Sequence, residues 1–290
     1  MPGSTRGCLS VNAVPDTLRR FFHSREGMVG LMVLIPIVLA ALLAPWLAPG
    51  DPQAMAGPAL LKPFTDPAFP LGTDRLGRNV LAALLHGASA TLIVAAAAAA
   101  GALCLGTSIG TVAGFMGGRI DEALMRLTEA FQAVPGFILA LALVSVMGPA
   151  LGSVVLAITL SSWTGSARVV RAEILSLRNR DFVDAYRVLG MRPMQIAFRE
   201  VLPNALPPVI TLASVVVAAA ILVEAALSFL GLVDPNRITW GQMIAEGRAV
   251  LRTAPFLSAI PGIAIVITVL AVNLVGEGIN EALAGKRIAA

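Results

Sequence analysis

Residues 87–118 read GASATLIVAAAAAAGALCLGTSIGTVAGFMGG, a stretch of 32 residues without one charged side chain. About 20 mostly apolar residues are enough for a helix to cross the hydrocarbon core of a bilayer. The whole chain shares this character, because 57% of its 290 residues are apolar and only 13% are charged. A soluble domain carries about 25% charged residues. The sequence therefore predicts a membrane protein and excludes an ordinary soluble domain.

Four further uncharged runs predict the other membrane-spanning helices. They are Met28–Ala48, Ala130–Ala167, Val201–Val223 and Thr253–Gly276. The second run is long enough for two spans, and Gly148-Pro149 in its middle disfavours one continuous helix, so we interpret it as a hairpin. The first run exceeds the roughly 7–15 apolar residues of a cleaved signal peptide, so we interpret it as a retained span. We predict an all-α membrane protein with six spans.

The distribution of basic residues predicts the orientation of these spans. With the N-terminus inside, the predicted inner segments hold 15 of the 21 Lys and Arg residues and the outer segments hold 6. Positively charged residues are enriched in cytoplasmic loops of membrane proteins. We therefore expect both termini to be cytoplasmic. The same argument explains the positive net charge without nucleic-acid binding.

Few side chains in the chain are suited to catalysis or metal binding. Lys62 and Lys286 are the only lysines, and neither stands in the G-x-x-x-x-G-K-[ST] sequence of a P-loop. Two histidines and two cysteines are too few to indicate a metal site or a disulfide framework. A membrane-embedded enzyme, which would need a nucleophile with its base or a metal, is a weak alternative. A passive channel or a secondary carrier is a second alternative.

The longest outer segment begins with six prolines between residues 49 and 70, which exclude a regular helix. We predict an ordered or extended loop there. After it, Thr73 or Asp74 is predicted to cap a short interfacial helix that ends near His86. Two interpretations of the outer segment stay open: it receives a binding protein, or it is a lid that only packs on the bundle.

Residues 168–200 form the largest polar segment on the predicted inner side and contain seven arginines. Good helix formers predict a helix over Ala172–Leu189, and Gly190 stands where a helix end favours a left-handed residue. Pro193 suits the first turn of a second helix, which Pro203 is expected to end. The alternative is an ordinary amphipathic loop that rests on the lipid headgroups.

Two parts of this segment resemble a known family. Residues 181–190 read DFVDAYRVLG and residues 198–204 read FREVLPN. They resemble the EAA loop of binding-protein-dependent ABC importer permeases, in which E-A-A-x-x-x-G is followed by a polar position and L-P. The matching residues are Asp184, Ala185, Tyr186, Gly190, Glu200, Leu202 and Pro203. The sequence departs from the pattern twice, because Tyr186 replaces a small residue and Glu200 stands where related peptide permeases usually have histidine.

A second signature lies in the outer segment. Residues 69–79 read FPLGTDRLGRN, which resembles the P-L-G-T-D-x-x-G-R-D signature of the second permease of peptide/nickel importers, with Asn79 in place of the usual aspartate. The matching residues include Gly72, Thr73, Asp74, Gly77 and Arg78. Residues 224–232, Trp240-Gly241 and residues 273–278 resemble the same subfamily in order and spacing.

The resemblance implies a type I importer bundle in a bacterial inner membrane. It implies a homologous second permease, two ABC ATPase subunits that use ATP and Mg²⁺, and a periplasmic or lipid-anchored binding protein, with no cofactor, metal or catalytic residue in this chain. The implied function is import of di- or oligopeptides by alternating access, with nickel or another small solute as the alternative cargo. The EAA residues would couple the bundle to the ATPases.

The sequence also suggests how the chain is divided. We predict a cytoplasmic tail over 1–27, a first span with its outer loop and interfacial helix over 28–86, an importer transmembrane domain over 87–280 and a second tail over 281–290. The coupling loop occupies about 171–205. Glu224 is the one acidic residue well inside a predicted span, and we interpret it either as a pathway residue or as a contact to the partner permease.

Overall fold

A computed structural model describes residues 19–232 and 234–287 of the chain. The first 18 residues of the predicted N-terminal tail and the last three of the C-terminal tail lie outside the described residues. The helices are α1 Arg25–Leu42, α2 Ala44–Leu47, α3 Val80–Met116, α4 Gly118–Gln132, α5 Gly136–Met147, α6 Leu151–Leu177, α7 Asp181–Val188, α8 Pro193–Ile196, a π-helical turn Ala197–Val201, α9 Leu202–Phe229, α10 Trp240–Arg248 and α11 Phe256–Arg287. The described part of the chain has isolated β-bridges but no strand, so the all-α prediction is confirmed.

Five helical segments in the described ranges are long and apolar enough to cross a membrane. They are α1, α3, α6, the run from α8 through α9, and α11. Helices α4 and α5 meet the same criterion only together, and they bend by 81° at the break between them. The six predicted spans are therefore found when this bent pair is counted as one span. The cytoplasmic location of the termini stays a prediction.

The predicted hairpin turns at Gly148-Pro149, as expected. Helix α5 ends at Met147, Gly148 has a φ of 88°, and α6 begins at Leu151. The first arm is shorter than predicted, because α5 has 12 residues and so extends over about 18 Å of a hydrocarbon core of about 30 Å. Helix α4 precedes α5 at an angle of 81°.

Small residues allow α3 to pack closely against α6. Gly106, Gly110 and Gly114 recur at every fourth position of the α3 face that meets α6. A β-carbon at Gly110 would overlap the main-chain oxygen of Ala167, and one at Gly106 would crowd that of Trp163. Such spacing of small residues lets two membrane helices approach to backbone contact. Helix α9 packs against both members of this pair.

The predicted interfacial helix from Thr73 or Asp74 to His86 is wrong. The side chain of Asn79 accepts hydrogen bonds from the main-chain N–H groups of Leu81 and Ala82, at 2.9 and 3.4 Å, and so caps a helix that continues without interruption to Met116. Asp74 cannot cap it, because one of its oxygens already accepts the N–H groups of Leu76 and Arg78 within the preceding turn. This stretch is the start of the second span.

Candidate functional site

The EAA residues lie in a compact loop, residues 178–201, at one end of the bundle, which we call the coupling end. The predicted single helix over Ala172–Leu189 is wrong, since α6 ends at Leu177 and α7 begins at Asp181 after a turn. At this turn the Arg178 guanidinium donates to the main-chain oxygen of Gly114 at 3.0 Å. The hydrogen bond holds the end of α6 against α3 while α7 leaves in a new direction.

Gly190 ends α7 in the left-handed conformation that the sequence predicts. Its φ is 75°. The N–H of Met191 donates to the oxygen of Tyr186 at 3.2 Å, and the N–H of Gly190 donates to that of Arg187 at 3.0 Å. These two bonds form a Schellman motif, which satisfies the last carbonyl groups of a helix. The motif reverses the chain between α7 and α8.

Buried apolar side chains attach the loop to the bundle. Val183 of α7 and Ile196 of α8 are fully buried in one cluster with Ile174 of α6 and Val201 of the π-helical turn. Burying a side chain of this size contributes about 1.5–3 kcal/mol. The loop is therefore a packed part of the bundle. This favours the helix–glycine–helix interpretation over an amphipathic loop that rests on the lipid headgroups.

The opposite side of the loop exposes apolar groups. Val188 and Leu189 have exposed fractions of 88% and 76%, and Met194 and Phe198 are also exposed. Asp184 lies on the same side of the loop and forms an ion pair with Arg187 at 2.7 Å. Ala185 is also exposed. Exposed apolar residues rimmed by charges are typical of a protein-binding surface. We call residues Asp184–Leu189, Met194 and Phe198 the coupling edge.

The two departures from the EAA pattern contact each other. The Tyr186 hydroxyl lies close to the Glu200 carboxylate, and the carboxylate raises the pKa of Tyr186 both as a hydrogen-bond acceptor and through its negative charge. The contact joins α7 to the π-helical turn. The larger side chain at position 186 thus has a partner in the acid at position 200.

The sequence predicts that Pro203 ends the second helix of the loop. This prediction is wrong, because neither Leu202 nor Pro203 ends it. The π-helical turn Ala197–Val201 leads directly into α9, with Pro203 in its first turn. The missing N–H of Pro203 interrupts the helical hydrogen bonding just after the π-helical turn, where the hydrogen-bond pattern is already changed. The coupling loop is therefore continuous with a candidate membrane-spanning helix.

The outer signature residues build the fold of the segment before α3, residues 49–79, which lies at the other end of the bundle. The Thr73 hydroxyl donates to the main-chain oxygen of Pro58 and accepts the N–H of Leu61. The N–H groups of Ala56 and Gly57 donate to the oxygen of Gly77, both at 3.0 Å. Gly72, like Gly77, has a positive φ. The segment is non-helical and ordered, as predicted.

Arg78, the last signature residue, lines a cavity between this segment and α10. It approaches Asp74 at 3.9 Å and Glu246 at 3.8 Å. The cavity has a volume of about 200 Å³ and is also lined by Gln242. The signature therefore joins the segment to the hairpin of α10 and α11.

Glu224 lies inside its own subunit. Its exposed fraction is 1%, and one of its oxygens accepts a hydrogen bond from Ser228 at 2.6 Å. Thr91 of α3 and Thr239 lie near the carboxyl group, whose other oxygen is buried without a hydrogen-bond partner. The carboxyl group is buried among elements of its own chain, and its role as a pathway residue or as a contact to the partner permease stays a prediction. The side chain joins α9 to α3 and to the start of α10.

Comparison with known families agrees with this arrangement. Residues 106–288 match the family described as the inner membrane component of binding-protein-dependent transport systems. The chain belongs to this family. Residues 15–63 of the permease also match the N-terminal transmembrane domain of oligopeptide transport permease C.

Curated relatives cover nearly the whole permease. It is 36% identical over 288 residues to the di/tripeptide transport system permease protein DppC of Pseudomonas aeruginosa, covering 97% of this chain and 95% of that one. It is 33% identical to the oligopeptide transport system permease protein OppC of Bacillus subtilis, covering 94% and 90%. A putative peptide transport system permease of Brucella suis is 39% identical, covering 92% and 90%.

The fold is also similar to a solved structure. The permease matches a chain of the MetNI methionine ABC transporter in an inward-facing conformation, with a TM-score of 0.58 and 19% identity. The match covers 69% of this chain and 96% of that chain. It confirms the type I permease fold.

Sequence reasoning missed the residues that hold the coupling loop in place. Val183, Ile196 and Val201 carry no motif. A signal was present for Val183. It is an apolar position between the charged residues of α7, and this helix is strongly amphipathic. Among the described residues, no group of three or more His, Cys, Asp or Glu side chains is close enough together to bind a metal ion.

Proposed function

We propose that this permease is one of the two membrane-spanning subunits of an ABC importer for di- and oligopeptides. The observation that carries the proposal is the coupling edge. It exposes apolar residues on one side and is fixed to the bundle by buried side chains on the other. A loop built in this way can accept force from a cytoplasmic partner and pass it to a span.

In this proposal the ATP-driven cycle acts through the coupling edge. Two ABC ATPase subunits bind ATP and Mg²⁺ and close. The edge follows them, and the continuous π-helical turn and α9 carry the motion into the bundle, which alternates between two access states. The chain itself supplies no catalytic residue and binds no cofactor.

The cargo and the other partners are proposed from the relatives. Permeases named for di- and oligopeptide transport are 33–36% identical over nearly the whole chain, which supports peptides over nickel or another small solute. A homologous second permease, a periplasmic or lipid-anchored binding protein and a bacterial inner membrane complete the proposal. The coupling end then faces the cytoplasm.

The test is uptake by the four-subunit complex in proteoliposomes, with its binding protein and ATP inside the vesicles. We expect ATP-dependent accumulation of a labelled di- or oligopeptide and inhibition by vanadate. Accumulation of Ni²⁺ but of no peptide would contradict the peptide cargo. Uptake that continues at full rate with vanadate would contradict the ABC importer and favour a passive channel or a secondary carrier.

Single cysteines test the orientation. In a Cys8→Ser, Cys104→Ser background, cysteines at Asp66 and Asn236 should react with an impermeant reagent from outside. A cysteine at Asn179 should not react. Outside labelling at position 179 would contradict the orientation.

A further inference from the structure

The cavity between the segment before α3 and α10 is lined by two residues with a buried polar atom that makes no hydrogen bond. These atoms are Nε of Arg78 and Oε1 of Gln242. Residues of this chain alone bury both atoms, so a membrane or a second subunit can only cover them further. Buried polar atoms are costly to leave without a partner. A pair of them beside one cavity therefore indicates an occupant that both donates and accepts hydrogen bonds.

The orientation of the Gln242 amide is fixed by its neighbour on α10. Its Nε2 donates to Oε1 of Glu246 at 3.2 Å. The opposite orientation would place the amide oxygen against a carboxylate oxygen, and neither of these atoms can donate. Oε1 of Gln242 is therefore the atom left free, and it is available to a ligand that donates a hydrogen bond.

Arg78 lies between two carboxylates without a hydrogen bond to either. Its Nη1 is 3.8 Å from Oε2 of Glu246, and its Nε is 3.9 Å from Oδ2 of Asp74. Hydrogen bonds from nitrogen to oxygen are about 2.7–3.2 Å long, so both distances are too great. Arg75 also lines the cavity. Two acidic and two basic side chains thus surround it, and their formal charges cancel.

Most of the remaining lining is apolar. It belongs to the buried core of the bundle and consists of Val80, Ala83, Ile238, Met243 and Leu257. Water can satisfy the polar groups of the cavity, but it gains nothing from the apolar ones. The volume of about 200 Å³ is smaller than the roughly 300–1,000 Å³ of pockets for drug-sized ligands. The cavity therefore suits a small molecule with a charged head and an apolar body.

We propose that this cavity binds a small zwitterion, namely a free α-amino acid with an apolar side chain. Its carboxylate accepts from Nε of Arg78, and its ammonium group donates to Oε1 of Gln242 and to Glu246. Charge-assisted hydrogen bonds are about twice as strong as neutral ones. The apolar side chain lies against Met243 and Leu257. The site is separate from the coupling edge, and it does not depend on the proposed import of peptides.

Binding of L-leucine to the four-subunit complex in lipid nanodiscs tests the site, measured by calorimetry without ATP or binding protein. N-acetyl-leucine lacks the ammonium group, and leucinamide lacks the carboxylate. We expect L-leucine to bind at least about tenfold more tightly than either compound, since each compound leaves a buried polar group without its charged partner. Absence of saturable binding of leucine, valine and methionine would overturn the proposal, and so would equal binding of leucine and its two derivatives.

Two variants locate the ligand. Arg78→Gln should abolish the preference for leucine over leucinamide, and Glu246→Gln should abolish the preference over N-acetyl-leucine. Either variant is sufficient if the other fails to assemble. Arg248→Gln is the matched control and should keep both preferences, because Arg248 is on the same helix as Glu246 but lies over the ring of Phe229, 5.1 Å from its centre. Preferences that are unchanged in Arg78→Gln and Glu246→Gln would place the ligand elsewhere and overturn the proposal.

Discussion

The coupling loop and the segment before α3 both turn on left-handed glycines, but they use them differently. No heavy atom lies within 4 Å of the place where a β-carbon would stand at Gly190. At Gly77 the same atom would overlap the main-chain oxygen of Gly57, and at Gly72 that of Leu61. The glycine of the coupling loop sets only the direction of the chain, whereas the glycines of the other segment are also sites of close packing.

The difference indicates different roles for the two ends of the bundle. The coupling loop is held by buried side chains on its inner side, and its turn is left open, which leaves room for a partner. The segment at the other end is held by its own main-chain hydrogen bonds. Its exposed apolar residues include Met55 and Phe64. Docking of a binding protein on this segment stays a prediction, and so does the alternative that the segment is a lid.

We expect the largest loss of stability and uptake from a charge placed in the buried apolar cluster that attaches the coupling loop to the bundle. Val183→Asp buries a carboxylate in an apolar cluster, which costs several kcal/mol. Val188→Asp, on the same helix, places the same group in water. We expect Val183→Asp to make residues 178–201 sensitive to limited proteolysis and to abolish uptake. Val188→Asp should keep the protease resistance and lose affinity for the ATPase. Equal protease resistance in both variants would show that Val183 does not anchor the loop.

A smaller effect is expected at the other end. Gly77→Ala adds a methyl group against the oxygen of Gly57 at a φ of 78°, and the strain of the backbone alone costs about 1–3 kcal/mol. Gly50→Ala is the control, since Gly50 also has a positive φ but has open space around it. We expect Gly77→Ala to lower the melting temperature of the purified subunit by more than Gly50→Ala does. A shift of the same size in both would mean that packing at Gly77 does not matter.

The smallest effect is expected at the contact between Tyr186 and Glu200. Tyr186 is the only tyrosine of the chain, so the phenolate absorbance reports on it alone. Its hydrogen bond to Glu200 raises its pKa above the ordinary value of about 10. The stabilising contact is thus fully present below that ordinary value and is lost as the pH rises through the higher folded-state pKa. Glu200→Gln should shift the absorbance titration to lower pH, and an unchanged titration would show that the contact is not formed.

The sequence predicted those features that depend on a few adjacent residues. The uncharged runs and Gly148-Pro149 were sufficient to predict the spans and the hairpin. The position of Gly190 between Leu189 and Pro193 was sufficient to predict a left-handed turn. The break at Arg178 was not predictable in this way, because its hydrogen bond to Gly114 joins residues 64 positions apart.

The cap at Asn79 and the surroundings of Glu224 could not be predicted, for a similar reason. Asp74 and Asn79 are both good helix caps by type, and the choice between them depends on hydrogen bonds that Asp74 makes within its own turn. Glu224 is enclosed by Thr91 and Thr239, which lie far from it in the sequence. The bend between α4 and α5 falls at Pro135-Gly136, a pair that is typical of turns, so the sequence did carry a signal for it within the charge-free run.

The most direct test of the account concerns force transmission through the coupling edge. Gly190→Val leaves the space around the turn free but places a β-branched residue at a φ of 75°, which costs about 1–3 kcal/mol. Asp184→Lys replaces an ion pair with Arg187 by two like charges. Both changes lie outside the buried cluster, so both variants should insert and pair with the second permease.

The measurement is binding-protein-stimulated ATP hydrolysis together with peptide uptake, in proteoliposomes that contain the four-subunit complex. We predict that both variants lose stimulated hydrolysis and uptake while their assembly with the second permease, checked by co-purification, is unchanged. Wild-type rates of uptake in both variants would contradict the account, because the loop would then not be the element that couples the ATPases to the bundle.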